Sequence, residues 1–207
     1  YTQAVGHGLD SAPKMIIQKR RGTASSAWYI IFTALDNSVD YISFNTGAKN
    51  DMSGGDSGFT IGTDGFSDWW GSSYNIINYC FHDVTGYQKI GSYTGTSSSN
   101  GNIIETGFEP AFLLIKRTNT AGYDWNIFDN KRDTINPNEK FLEANTADAE
   151  ATGRGVNFLS NGFELFGTSQ SVNNSAGTYL YLAIAADPDT TTPVVAKSFD
   201  ITTYTRT

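Results

Sequence analysis

The tetrapeptide Gly55-Asp56-Ser57-Gly58 has the residue types of a serine-nucleophile motif. That chemistry needs a histidine base and a buried aspartate brought to the hydroxyl. The upstream histidine is His7, in His7-Gly8, without the Ala-Ala-His-Cys context of serine proteases. The stretch from Asp51 to Gly58 is more simply a Gly- and Asp-rich turn. Asp51, Asp56, Asp64 and Asp68 crowd the same region. Calcium takes roughly six to eight oxygen ligands, so this cluster could hold it. The spacing does not follow the EF-hand pattern, and turn chemistry competes with the calcium reading. His7 and His82 lie far apart with no cysteine beside them, whereas zinc needs about three or four ligands. Paired carboxylates could hydrolyse glycosides. The candidates Glu105, Glu109, Asp129, Asp133, Glu143 and Glu164 mostly fall near expected strand ends, as solvated carboxylates do. No phosphate-cradling Gly loop ending in Lys-Ser/Thr is present. No catalytic residue is therefore assigned, and the chain reads as a binding module and not an enzyme. Asn173-Asn174-Ser175 satisfies the glycosylation sequon.

The aromatic residues offer a different chemistry. Trp69-Trp70 sits in a polar stretch from Asp64 to Tyr74, while the matching region of the second half, Gly167 to Gly177, has no tryptophan. This reads as an extra aromatic loop in one half. Flat aromatic faces stack on sugars, and Trp and Tyr anchor interfaces. Trp69, Trp70 and Tyr74 are the candidate ligand contacts. Two other readings stay open: the loop covers its own core, or it meets a neighbouring subunit.

What positions these residues is a repeat. Pro13-Lys14-Met15-Ile16-Ile17-Gln18-Lys19-Arg20 matches Pro110-Ala111-Phe112-Leu113-Leu114-Ile115-Lys116-Arg117. Trp28 falls on Trp125 at the same offset, Tyr41–Thr46 on Phe141–Thr146, Gly58–Ile61 on Gly162–Leu165, and Tyr74–Phe81 on Thr178–Ile184. Blocks in one order with shifting offsets are what loop-length changes leave between duplicated strands. The recurrence of Trp28 and Trp125, and of Pro13 and Pro110, predicts a shared core role. The expected units are residues 1–85 and 86–187, with 188–207 a linker and the start of a further strand or repeat.

Strands are expected at 14–19, 27–33, 39–45, 75–81 and 179–184, from their β-branched and aromatic content. Asp64-Gly65, Asn100-Gly101 and Asn161-Gly162 fit turn positions with positive φ. Residues 145–152, rich in alanine, are the one helix candidate. The fold class is all-β: two tandem, related β-sandwich units of jelly-roll or concanavalin-like type. The halves fit either two sandwiches or two layers of one.

Composition agrees. Aromatic residues make up 14% and charged residues 17% of the 207 residues, which argues against disorder. The net charge of −7 and the lack of a basic run beyond Lys19-Arg20-Arg21 exclude a counterion-releasing nucleic-acid surface. The single cysteine, Cys80, allows no internal disulfide. No apolar stretch approaches the roughly 20 residues of a membrane helix. The abrupt ends suggest a piece of a longer polypeptide.

The order Gly107-Phe108-Glu109-Pro110 with its apolar run and Lys-Arg, Trp125-Asn126-Ile127-Phe128-Asp129, Phe141-Leu142 with Asn145-Thr146, Asn161-Gly162-Phe163, then Gly177-Thr178-Tyr179 and an apolar run resembles a repeat domain of tail-fibre and other virion-surface proteins of tailed bacteriophages. The likeness is to those of marine and cyanobacterial phages in particular. The first half matches less fully, departing at His7-Gly8-Leu9 and in the Trp69-Trp70 region. The resemblance implies a laminin-G- or lectin-like sandwich, displayed on a virion surface, often as a homotrimer. Host-surface glycan or receptor and other virion proteins are the implied partners, and no catalytic residues come with it. The functional expectation is a tail-fibre module that binds host glycan or spaces the fibre tip. A capsid decoration or head-fibre protein and a polysaccharide depolymerase domain are the alternatives.

Overall fold

The computed structural model describes residues 4–22, 26–44, 47–52, 60–67, 75–186 and 199–205. Among them there is no helix. The strands in chain order are β1 (Ala4–Val5), β2 (Met15–Arg20), β3 (Trp28–Phe32), β4 (Asp40–Ser43), β5 (Asn50–Asp51), β6 (Phe66–Ser67), β7 (Asn75–Phe81) and β8 (Gln88–Thr94). They continue with β9 (Asn102–Glu105), β10 (Pro110–Arg117), β11 (Asn126–Asp129), β12 (Leu142–Glu143), β13 (Val156–Leu159), β14 (Gly162–Leu165), β15 (Thr178–Ala185) and β16 (Phe199–Thr205). The fold is all-β. The Ala-rich stretch expected to be helical forms turns and irregular chain after β12, because its alanines carry no apolar stripe at helical spacing to bury.

The chain divides into two compact units: Tyr1–Asn45, Lys49–Asp83 and Pro193–Thr207 make the first, and Val84–Thr192 with Thr46–Ala48 the second. In unit 2 a five-stranded sheet, ordered β12-β11-β10-β15-β8, faces a three-stranded sheet, β13-β14-β9. Leu113, Ile115, Phe128, Tyr179, Tyr181 and Ala183 of the large sheet pack against Ile104, Val156, Phe158, Phe163 and Leu165 of the small one. Tyr93 of β8 stacks on Tyr179 at 4.9 Å and meets Phe163 edge-on at 6.1 Å. Two sheets closing over one apolar layer make a β-sandwich.

Unit 1 has a six-stranded sheet, β16-β7-β2-β3-β4-β5, and a two-stranded one, β1-β6. Ile16, Ile31 and Cys80 form a core with Val5, Leu9, Met52 and Phe66. Within this unit Gln18 and Asn78 sit opposite each other on β2 and β7, fully buried, with Gln18 Nε2 donating to Asn78 Oδ1 at 2.8 Å. The matching positions of unit 2 hold Ile115 and Tyr181.

The same pairing recurs in both units. Met15 faces Phe81 as Phe112 faces Ile184, and Ile30 faces Ile42 as Ile127 faces Leu142. Phe44 N donates to the Trp28 carbonyl at 2.7 Å, and Ala144 N to that of Trp125 at 2.8 Å. His7 Nδ1 accepts the Leu9 N–H at 3.1 Å, as Thr106 Oγ1 accepts that of Phe108 at 3.4 Å. The glycine between them has a φ of 67° at Gly8 and 90° at Gly107, a conformation that favours glycine. One block is corrected. Val5 pairs with Phe66 as Ile104 pairs with Phe163, so Gly65-Phe66, and not Gly58-Phe59, is the counterpart of Gly162-Phe163. Of the three turn dipeptides, Gly101 has the expected positive φ, 91°, whereas Gly65 and Gly162 do not; Gly162 already belongs to β14.

The last stretch carries the further strand expected there, β16. β16 does not stand apart as the opening of another unit. It pairs with β7 from Phe199↔Phe81 to Thr205↔Asn75 and belongs to unit 1.

Candidate functional site

Trp28 opens β3, where it pairs with Lys19 of β2. Trp28 is 40% exposed, which corrects its expected place in a shared core. Trp125 is fully buried. The repeat register fixes the strand position of each ring, but not what covers it. Pro13 and Pro110 are both buried.

Around Trp28 a platform is assembled from three strands. Its ring stacks on Tyr79 of β7, with centroids 6.3 Å apart and planes at 30°. β2 lies between their strands, so the two side chains meet across it. Lys19 holds its Nζ 5.6 Å from the Trp28 ring centre and donates to the Ser26 carbonyl. Ile201 of β16 pairs with Tyr79 and is exposed, extending the apolar surface by one strand. An indole face beside a second ring and an ammonium group is suited to the apolar face of a sugar ring, with the cation polarising the aromatic surface.

Unit 2 makes a different use of the same positions. Lys116 is buried, donates its Nζ to the Tyr123 carbonyl, and has its pKa lowered to about 8 by burial, an effect that Asp124 opposes. Where Tyr79 stands in unit 1, unit 2 has buried Leu182. The sequence signal for the platform was this Tyr-for-Leu exchange next to a repeated Trp-Lys pair.

The Trp69, Trp70 and Tyr74 candidates lie outside the described residues, as do Asp56, Ser57 and Asp68. In unit 2 the loop Phe166–Gly177, between β14 and β15, folds onto its own sandwich. Asn173, fully buried, accepts from Thr96 N at 3.0 Å and Asn102 Nδ2 at 3.1 Å, and donates to the Gly167 carbonyl at 2.9 Å. Tyr93 OH donates to the Val172 carbonyl at 2.7 Å, and burial pushes its pKa well above the usual tyrosine value. An amide so enclosed is not open to glycosylation in the folded chain.

The remaining candidates have structural occupations. His7 is buried, with Nδ1 accepting from Leu9 and Nε2 therefore donating to the Gly62 carbonyl at 3.0 Å. His82 is buried. Asp51 and Asp64 are exposed, and no group of three or more potential metal ligands forms among the described residues. Asp129 receives the N–H groups of Lys131 and Arg132 and an ion pair from Arg132 at 2.8 Å. Asp133 accepts from Lys140 N and Glu139 N at 2.9 Å, and those bonds hold its pKa below the usual carboxylate value. Glu143 pairs with Arg154 at 2.8 Å, and Glu164 accepts from Asn157 at 3.0 Å. Glu105 and Glu109 are exposed. Asp40 is buried on β4 against Lys49 at 2.9 and 3.0 Å; burial raises its pKa and Lys49 offsets part of the rise.

The chain belongs to the family described as Domain of unknown function (DUF7483), whose pattern matches residues 1–188. No curated protein and no solved structure matches it.

Proposed function

We propose that this member of the DUF7483 family is a virion-surface adhesion module of a tailed phage, a tail-fibre domain that binds host-surface glycan. The observation that carries the reading is the exposed Trp28 ring, stacked on Tyr79 beside Lys19. Rigid sandwiches with an acidic surface present such a platform without binding nucleic acid. The tail-fibre context follows from the likeness to phage repeat domains, and with it display as a homotrimer. A single aromatic platform binds sugar weakly, and several copies on one fibre multiply that affinity. Trp69, Trp70 and Tyr74 are proposed as further ligand contacts in the same unit.

Binding of the purified, labelled protein to host-type cells and to a glycan array tests the reading, with the oligomeric state recorded on the same sample. Saturable binding that free sugar displaces supports it. Release of glycan product would move the chain to the depolymerase class. A folded sample that binds no glycan would favour a spacer or capsid-decoration role. Substituting Trp69→Ala with Trp70→Ala separates their contribution from that of Trp28.

A further inference from the structure

β16 occupies in unit 1 the place that β8 occupies in unit 2. β8 runs along β15 from Gln88↔Ile184 to Thr94↔Thr178, and β16 runs along β7 from Phe199↔Phe81 to Thr205↔Asn75. β15 and β7 are themselves equivalent, because each pairs with the Pro-block strand of its unit in the same register. Superposing the two ladders sets Ile201 on Ile90, Thr203 on Ser92, Tyr204 on Tyr93 and Thr205 on Thr94. At the other three registered positions the residues differ, with Phe199 on Gln88, Asp200 on Lys89 and Thr202 on Gly91.

The delivery differs. β8 precedes the other strands of its unit in the chain. β16 follows all of unit 2, and it lies outside the residues 1–188 that the family pattern spans. The equivalent edge is thus completed in unit 2 by a strand that precedes its sheet partners in the chain and in unit 1 by one that follows them. β7 is built to be covered. Its sequence, Asn-Ile-Ile-Asn-Tyr-Cys-Phe, has no charge, no proline and no register shift along β16. Those are the devices that protect a strand meant to stay at an edge. Without a seventh-residue-long partner its outward N–H and C=O groups would be left open for another strand.

We propose that β16 is an exchangeable strand, and that the β7 edge of unit 1 accepts β16 from a second copy of this chain as well as its own. The exchanged contact sets β16 of one copy against the first unit of another. Exchanged reciprocally it makes an isologous pair; passed head to tail it closes a small ring or propagates along a fibre. Cis and trans pairing form the same ladder and differ in the tether. Concentration therefore decides between them, because the tethered strand acts at an effective concentration on the order of millimolar. This goes beyond the adhesion reading and does not depend on any glycan.

Two isotopically distinct batches of the full chain carrying Tyr79→Cys and Ile201→Cys test it, since these positions are Cα partners across the exchanged contact. The batches are mixed at rising concentration, diluted, oxidised and weighed intact by mass spectrometry. Covalent species containing one light and one heavy chain, more abundant the higher the mixing concentration, are expected. Crosslinks confined to single chains at every concentration would overturn the proposal. Should the thiols fail to join, sedimentation velocity on the unmodified chain and on Thr202→Pro with Thr203→Pro gives an independent answer. A concentration-dependent oligomer lost in the proline variant supports exchange, and a monomer throughout overturns it.

Discussion

Trp28 lies over Tyr79 across the width of β2, and its counterpart Trp125 is enclosed where Trp28 is exposed. Two tryptophans at one position of a repeated ladder thus carry different burdens. Removing a fully buried tryptophan costs about 3–5 kcal/mol through lost transfer energy and the cavity left behind. Trp125→Ala should show that loss in urea unfolding. Trp28→Ala, already partly in water, should lose about 1 kcal/mol and keep its fold.

The alkaline pH dependence of stability should carry the signature of Lys116. Its folded pKa of about 8 lies below the ordinary 10.5, so between those values the unfolded chain binds the proton more readily. Stability therefore rises with pH across that window, and below about 8 the full cost of burying the charge is present. Tyr93 works the other way at the upper end. Its folded pKa is raised above 10.0, so the stability it contributes is complete below that value and is lost as pH climbs through the folded pKa. Lys116→Met should flatten the rise above pH 8 in chemical unfolding followed from neutral to alkaline pH. An unchanged slope would place its cause elsewhere.

Gln18 and Asn78 form a buried polar pair where unit 2 has Ile115 and Tyr181. Gln18→Leu alone leaves the Asn78 carbonyl oxygen without its donor and should cost about 1–3 kcal/mol. Gln18→Leu with Asn78→Leu should recover part of that loss, because the Asn78 amide then no longer needs a donor. A double-mutant cycle by equilibrium unfolding reads the coupling directly.

Asn173 ties the long loop of unit 2 to Thr96, Asn102 and Gly167. Asn173→Ala should destabilise by about 2–3 kcal/mol. Gly95 lies beneath the same loop, and a Cβ there would fall 2.2 Å from the Asn174 carbonyl oxygen. Gly95→Ala should therefore shift the loop and raise amide exchange at Val172–Asn174. Exchange rates left at wild-type values would contradict this account of the closure.

The strands were legible because alternation and β-branched content mark a pleated, buried segment whatever its surroundings. β2, β3, β7 and β15 fall within a residue or two of the expected spans. The repeat also matched the blocks beginning at Tyr41 and Phe141, where β4 and β12 lie. Two things were not legible. The exposure of Trp28 depends on what lies above the sheet, and neighbouring residues in sequence do not encode that. The place of β16 is a non-local pairing with β7, chosen by an open edge more than a hundred residues away in sequence. The Gly65-Phe66 counterpart was missed for a related reason: Gly58-Phe59 offers the same dipeptide, and only the cross-strand partner Val5 distinguishes them. Of the candidate site, the aromatic residues read from the sequence, Trp69, Trp70 and Tyr74, lie outside the described residues, and the Trp28–Tyr79 pair rests on cross-strand register that local sequence does not carry.

The proposed recognition of glycan by the Trp28 platform can be read from a glycan-array titration of the full chain against Trp28→Ala, with circular dichroism to establish that both are folded. Saturable binding to a restricted set of glycans is expected, displaced by free sugar and weakened by about tenfold or more in the variant, or about 1.4 kcal/mol. Equal binding by the folded variant, or no binding by the unmodified chain, would contradict it.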